Sequence, residues 1–399
     1  MAGNEIEQAA DWFKRFAAAE GAESQRYADW ATGIAADSVL LAKIVKLPQA
    51  KRQPVLILTC ARFAGVPLRP YVSAREDFVA LWPKISELAK NHLTQTNDPR
   101  RCTPLMLALS RVRGPIALIE VGASAGLNLY PDKYSYRWVA PGRRVAFGPA
   151  GGSSVTLEAK ISGLEPREPK MPKIVYREGI DLNPLDVRNE TDLAWLEALV
   201  WPEQTERLEL VRAAAVIAKN DPPRLTTGDA LAEIRTAVAR ARRANPKATV
   251  VISSPAVLVY LDPAERQKFA NYCTRAKVRW VSIDGRTVLS SLAKIADERG
   301  ISGDFLLSLD GKPIAAVDPL GRSAELWSPF GLKPSEIDLI EFERENWGAV
   351  RSKESLVRSA FDLPLVRYYQ KLWGIMESKA AASYDPVLVR SFMQARQRF

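Results

Sequence analysis

Three short segments place an acidic residue among small neighbours, and these are where residue type and spacing could do chemistry. The first is Ile116-Ala117-Leu118-Ile119-Glu120-Val121-Gly122-Ala123-Ser124-Ala125-Gly126-Leu127-Asn128. Its apolar run predicts a buried strand that delivers Glu120 to a small-residue loop, which opens a helix. Gly122 and Gly126 lack a Cβ and leave room for a ligand against the backbone. Gly179-Ile180-Asp181-Leu182-Asn183-Pro184 follows a second β-branched run, and Thr226-Thr227-Gly228-Asp229-Ala230 a third. An acid therefore stands at or just beyond the carboxyl end of three strands, the ends that line the ligand crevice of an open α/β sheet. Taken singly, Asp229 reads as a helix N-cap and the glycines as tight strand–helix packing.

The charge of the three acids selects among ligands. A dinucleotide would bring its pyrophosphate to the first loop, where Glu120 adds repulsion, and the Gly-x-Gly-x-x-Gly spacing is absent. S-adenosylmethionine carries an ammonium and a sulfonium and no phosphate. Glu120 suits its cationic amino-acid end, Asp181 can accept from ribose hydroxyls, and Asp229 from the adenine amino group.

These residues need a sheet to hold them. Residues 1–113 read as helical, with apolar residues at helical spacing through Trp12–Ala18, Ala35–Leu47, Phe78–Leu93 and Leu105–Val112. From Pro115 short β-branched runs (Ile116–Val121, Ile174–Ile180, Thr249–Ser253, Val278–Ile283) alternate with helical patterns at 192–199, 203–218, 230–244, 263–276 and 287–298. That alternation predicts a parallel sheet covered on both faces. Strands at Asp304–Leu309 and Pro313–Val317 flank Asp310-Gly311-Lys312, which predicts a hairpin and an antiparallel end to the sheet. A β insertion is expected near residues 134–165, around the Gly-rich stretch Gly142–Ser154. The stretch 321–334, with Gly321, Pro329, Gly331 and Pro334, reads as a linker. The expected division is therefore 1–113, 114–320, the linker and 335–399.

Glu-x-Gly-x-x-x-Gly, Gly-Ile-Asp-x-x-Pro and Gly-Asp-Ala, in this order on successive strands, resemble the cofactor motifs of class I S-adenosylmethionine-dependent methyltransferases. The resemblance implies a Rossmann-like sheet of seven strands, the last antiparallel, and S-adenosyl-L-methionine as cofactor. Carried onto this chain it implies cofactor contacts from Glu120, Gly122, Ala123, Ser124, Gly126, Asn128, Asp181, Leu182, Gly228, Asp229, Ala230 and Ser254. Ser124 departs from the family, which usually has a glycine there. Thr94-Gln95-Thr96-Asn97, Glu120–Asn128, Gly179–Val187 and Trp201-Pro202-Glu203-Gln204-Thr205-Glu206-Arg207 also resemble an uncharacterised bacterial family, domain of unknown function 2332. That resemblance implies the same sheet with a helical N-terminal domain, and no known reaction.

No residue is assigned a catalytic role. The fourth strand ends Ser253-Ser254-Pro255-Ala256, not the Asn/Asp-Pro-Pro-aromatic loop of amino-methylating nucleic-acid enzymes, and no cysteine follows a proline, as cytosine-C5 enzymes require. His92 is the only histidine, which excludes multi-histidine metal sites and favours a structural, helix-terminal role. Cys60, Cys102 and Cys273 are too few and scattered for a disulfide framework or a zinc site. No metal is expected. With 47% apolar and 26% charged residues the chain is globular, and without a leader pattern or a membrane-length apolar run it is expected to be cytoplasmic, with no membrane partner. Arg100-Arg101 could bind a carboxylate or phosphate, although exposed arginines are usually solvated.

The net charge of +10 permits a nucleic-acid partner. Residues 335–399 predict a helix from Ser335 to about Ala349, a second from Ser352 to Ala360, and a third capped by Asp362 with Pro364 in its first turn. On the third, Leu365, Tyr368, Tyr369, Leu372, Ile375 and Met376 share one arc, while Val366, Arg367, Gln370, Lys371 and Gly374 fill the other. Two short helices with a tight turn suit a helix-turn-helix, and Ile340–Phe399 resembles domain of unknown function 3263, regarded as helix-turn-helix-like. The resemblance implies duplex-DNA contact through Arg367, Gln370 and Lys371, with Arg390, Arg396 and Arg398 reaching flanking phosphates. The reading from sequence is a methyltransferase with an unidentified, small-molecule or other acceptor, coupled to DNA binding. The alternative is a transcriptional regulator whose sheet domain senses a ligand without catalysis.

Overall fold

The computed structural model describes residues 2–95, 97–140, 143–162, 170–298, 303–326, 332, 334–347 and 352–396. Thr96, Gly142, Pro329, Gly331, Ala349 and Arg398 lie outside them. One mixed sheet organises the chain. Its strands are β1 (Pro115–Val121), β2 (Ser135–Ala140), β3 (Arg143–Phe147), β4 (Thr156–Ser162), β5 (Lys173–Asp181), β6 (Arg224–Thr227), β7 (Thr249–Pro255), β8 (Arg279–Gly285), β9 (Phe305–Leu309), β10 (Lys312–Val317) and β11 (Ser323–Leu326). Their spatial order is β3-β2-β4-β11-β10-β9-β8-β7-β1-β5-β6.

The block β6-β5-β1-β7-β8 is parallel throughout. From β1 the chain winds outward to β5 and β6, then returns to the other side of β1 for β7 and β8. The topological switch point therefore lies between β1 and β7, where open α/β sheets bind ligands beyond the carboxyl ends of their strands. β1 is buried beyond Pro115 and nearly all apolar, as a strand covered on both faces must be.

The sheet has eleven strands among the described residues, not seven. The expected hairpin forms, with Asp310 and Gly311 both at positive φ, the conformation a two-residue hairpin turn requires. It is not the end of the sheet. β9 runs antiparallel to β8, β10 reverses again, and β11 continues the meander. Within the expected linker, Ser323–Leu326 is thus a strand. It carries the insertion β2-β3-β4, because β4 pairs with β11. This long-range pairing has no local sequence signal.

The N-terminal helices do not stand apart from the sheet. Phe13, Trp30, Ile57 and Phe78 share one continuous core with Leu118, Val251, Val281 and the insertion. The helices Ala230–Ala244 and Pro263–Arg275 cover the opposite face through Ile234, Val238 and Phe269. The apolar pattern at 35–47 breaks at Asp37, whose carboxylate caps the helix Ser38–Ile44.

Residues 332–392 bury a core of their own, including Leu339, Val357, Tyr368, Leu372 and Phe392. The helices are Pro334–Glu345, Lys353–Phe361, Leu365–Met376, Lys379–Tyr384 and Pro386–Arg396. Asp362 does not cap the third helix. It ends the second in the left-handed region (φ 52°), and Pro364 stands at the N-cap of the third. The two arcs of that helix divide as the wheel requires: Tyr368, Leu372, Ile375 and Met376 are buried, and Val366, Arg367, Gln370 and Lys371 are exposed. No described helix is long and apolar enough to cross a membrane.

Candidate functional site

Glu120 lies at the switch point itself, in register with Gly179 of β5 and Ser253 of β7. It is buried, 1% exposed. Its Oε1 accepts a 3.1 Å hydrogen bond from Asn128 Nδ2, and Oε2 has no partner. Burial pushes its carboxyl up to about 8, against the Asn128 hydrogen bond and the charge of Arg101, while Asp181 adds a small upward push. Near neutral pH Glu120 is therefore held mostly protonated, and a cation brought to Oε2 would ionise it.

The loop after β1 is built differently from the expectation. It opens a 3₁₀ turn, Leu127–Leu129, rather than a helix. Pro131 follows Tyr130 and disfavours helical backbone there. Several loop amides already have protein partners. Gly122 and Ala123 donate to Ile180 O, Ser124 to Asp181 Oδ2, and Leu127 to Asn97 Oδ1. Gly122 and Gly126 do adopt positive φ, but a Cβ on Gly122 would meet Val257 and one on Gly126 would meet Pro223. Their freedom serves close packing of neighbouring loops. Ser124 occupies a left-handed conformation (φ 49°), strained for a side chain where the resembled family has glycine, and its buried Oγ has no partner.

Asp181 staples this loop. Oδ2 accepts from Ser124 N (2.7 Å), and Oδ1 accepts from Asn183 N (2.8 Å) and Gln95 Nε2 (3.0 Å). One acceptor position remains, on Oδ2. Beside it Leu182 is 67% exposed, an apolar surface at a strand end. Gly228 N donates to Asp181 O, which brings the loops after β5 and β6 together. Asp229 is exposed and caps the helix starting at Ala230 through Leu231 N and Ala232 N. Ser254 is buried and accepts from Trp280 Nε1 at 2.9 Å. The Thr-Gln-Thr-Asn run does line this region. Asn97 clamps the loop at Ala123 O and Leu127 N, and Gln95 holds Asp181 while its own Oε1 lacks a partner.

Asp284, near the end of β8, was not singled out from the sequence. It is 2% exposed, neither carboxylate oxygen has a hydrogen-bond partner, and burial pushes it up to about 7, against Arg266 and Arg101. The rule that found Glu120, Asp181 and Asp229 would have found it, since it directly follows the run Val278–Ile283. With neighbouring strands ~4.8 Å apart, β1 and β8 stand roughly 10 Å apart across β7. Two buried acids with unpartnered oxygens thus flank the switch point. Buried polar atoms in native proteins are nearly always satisfied, so such orphans mark where a ligand's donors belong.

The remaining candidates have structural work. His92 ends a helix, its Nδ1 3.0 Å from Leu88 O and its ring 4.2 Å from that of Trp195. Within Trp201–Arg207, Pro202 precedes the helix Thr205–Asn220, and Glu203 accepts from Ser24 Oγ and Arg26 N. The cysteines are free and buried. No group of potential metal ligands occurs among the described residues. A family described as an uncharacterized protein conserved in bacteria matches residues 10–314, and one described as a protein of unknown function matches residues 331–398. No curated protein and no solved structure matches the chain.

Proposed function

The chain belongs to the bacterial family of domain of unknown function 2332, and we propose that it is an S-adenosylmethionine-dependent methyltransferase whose cofactor lies in the crevice beyond β1, β5 and β7. The observation that carries this reading is the buried Glu120 carboxyl at the switch point with Oε2 unpartnered. An ammonium donor there would satisfy the orphan oxygen and ionise it. Asp181 offers its remaining acceptor position to a ribose hydroxyl, Leu182 offers its exposed side chain to the adenine face, and the Asp229 carboxylate stands beside them. The bound cofactor supplies a sulfonium methyl group. The chain's part is to orient donor and acceptor in line and to exclude water. Asp284 is placed to take a proton where the acceptor must lose one.

The residues at 332–396 add duplex-DNA binding to this reading. A three-residue turn joins Lys353–Phe361 to Leu365–Met376, whose exposed arc presents Arg367, Gln370 and Lys371. A second reading, a ligand-sensing regulator without catalysis, is favoured by the first loop, whose glycines are filled by Val257 and Pro223. Calorimetry with S-adenosylmethionine and S-adenosylhomocysteine tests cofactor binding, and absence of heat at millimolar ligand defeats both readings of the crevice. Steady formation of S-adenosylhomocysteine in a small-molecule extract separates enzyme from sensor.

A further inference from the structure

Arg100 and Arg101 are not solvated surface arginines. They belong to the turn Pro99–Arg101, which packs beside the Leu127–Leu129 turn, the helix Thr205–Asn220 and β4. Arg100 is 20% exposed, and Arg207, from the helix, is 11% exposed. Both pair with one carboxylate, Asp98, which is fully buried, at 2.7 Å from Arg100 Nη2 and 3.0 Å from Arg207 Nε. Arg100 takes both Asp98 oxygens as hydrogen-bond acceptors, and the Arg207 Nε–H, although close, has no hydrogen-bond partner. Arg101 carries the positive field inward, where it acts on both Glu120 and Asp284. Its Nε donates to Pro319 O. Burial lowers the pKa of Arg101 and Arg207 despite Asp98, and Arg100 and Arg101 lower Arg207 further by repulsion.

The charge does not balance. Three guanidinium groups gather around one fully buried carboxylate. The next acids do not make up the difference. Glu23 is occupied with Arg322 and Gln204, and burial holds Glu120 toward its neutral form. Concentrating cations away from water without counter-charge is costly, and an oxyanion with planar or tetrahedral acceptors is the group that arginine forks match best.

We propose that Arg100, Arg101 and Arg207 form an oxyanion-binding site on the N-terminal helical side of the crevice, which holds the carboxylate or phosphate of the methyl acceptor. The substrate class is thereby an anionic small molecule, with its anion beside Arg207 and its reacting atom toward the switch point. Its role as acceptor rests on the methyltransferase reading, whereas anion binding does not.

The test uses the full-length protein, with sodium phosphate or sodium acetate titrated against sodium chloride at constant ionic strength and thermal unfolding as readout. A saturable rise in melting temperature is expected. Arg207→Gln should weaken the apparent affinity by about tenfold or more, as for loss of a charge-assisted contact, and Arg207→Lys should lie between. Arg100→Gln provides the same readout if Arg207→Gln does not fold. Preference for phosphate or for acetate tells a phosphate ester from a carboxylate. No saturable shift in the wild type, or an equal shift in both glutamine variants, overturns the proposal. S-adenosylmethionine binding is titrated separately: if phosphate binds through Arg207 while the cofactor does not bind, the anion site stands and the methyltransferase reading falls.

Discussion

Two buried polar clusters in this molecule solve the same problem in opposite ways. In the C-terminal helices Glu343 and Lys353 pair at 2.8 Å with their side chains 4% and 5% exposed. Tyr368 donates to Glu343 at 2.7 Å, Lys353 also donates to Asn346 O, and the ammonium lies over the Phe342 ring. At the switch point Glu120, Asp284, Ser124 and Gln95 all leave polar atoms without partners. The first cluster is satisfied within the chain, so its charges fix one packing of five short helices and need nothing from outside. The second is completed only by a bound molecule. Burial alone therefore does not mark a functional site; burial without partners does.

The largest way to break this comparison is to orphan the satisfied cluster. Lys353→Met strands Glu343 and should destabilise the C-terminal helices by about 3–5 kcal/mol, measured by urea unfolding monitored on Trp347 and Trp373. Adding Glu343→Gln should restore much of it.

The orphaned cluster predicts the reverse. The Glu120 pKa stands above the ordinary carboxylate value of roughly 4, so the unfolded chain releases that proton first. Stability of the ligand-free protein should fall as pH rises from roughly 4 towards about 8, and then level off. Glu120→Gln should flatten that decline and should not destabilise the protein at pH 8. A pH series of unfolding midpoints that shows no difference between wild type and variant would remove the claim that Glu120 is buried at its own expense.

Asp181 tests the border between the two behaviours, because it is mostly satisfied. Asp181→Ala should weaken S-adenosylmethionine binding by about 1–3 kcal/mol and also loosen the loop at Ser124, seen as faster amide exchange. Asp229→Ala should cost about 0.5–2 kcal/mol as a lost helix cap, with a smaller effect on the cofactor. For the exposed arc of Leu365–Met376, about four phosphate contacts predict a slope of log affinity against log salt of roughly −3 to −4. Arg367→Ala with Lys371→Ala should flatten it by about one to two units. Removing residues 335–399 should leave cofactor binding intact. A gel shift no better for the full chain than for the truncation leaves these helices as a docking or dimerisation module.

The parallel half of the sheet was legible because β1, β5, β7 and β8 are short β-branched runs between well-capped helices, and local pattern decides such elements. Glu120 and Asp181 were legible for the same reason, as acids at predicted strand ends. Three features were not. The insertion joins the far edge of the sheet through β11, a four-residue strand whose pairing with β4 spans much of the chain. Arg100, Arg101 and Arg207 converge only in three dimensions, so sequence alone treats them as solvent-exposed. The missing helix after the first loop turns on Pro131 and on Asn97, a residue from another element that takes the Leu127 amide. Sequence also assigned Gly122 and Gly126 to a ligand, where tertiary packing against Val257 and Pro223 uses them.

The central claim is that Glu120 is held protonated until a cation reaches it. Its most direct test is calorimetry of S-adenosylmethionine binding near pH 7 in buffers of different ionisation enthalpy. The account predicts release of about one proton per ligand bound by the wild type, and at least about tenfold weaker binding without that release for Glu120→Gln. Binding with no proton release, or with equal affinity in the variant, would contradict it.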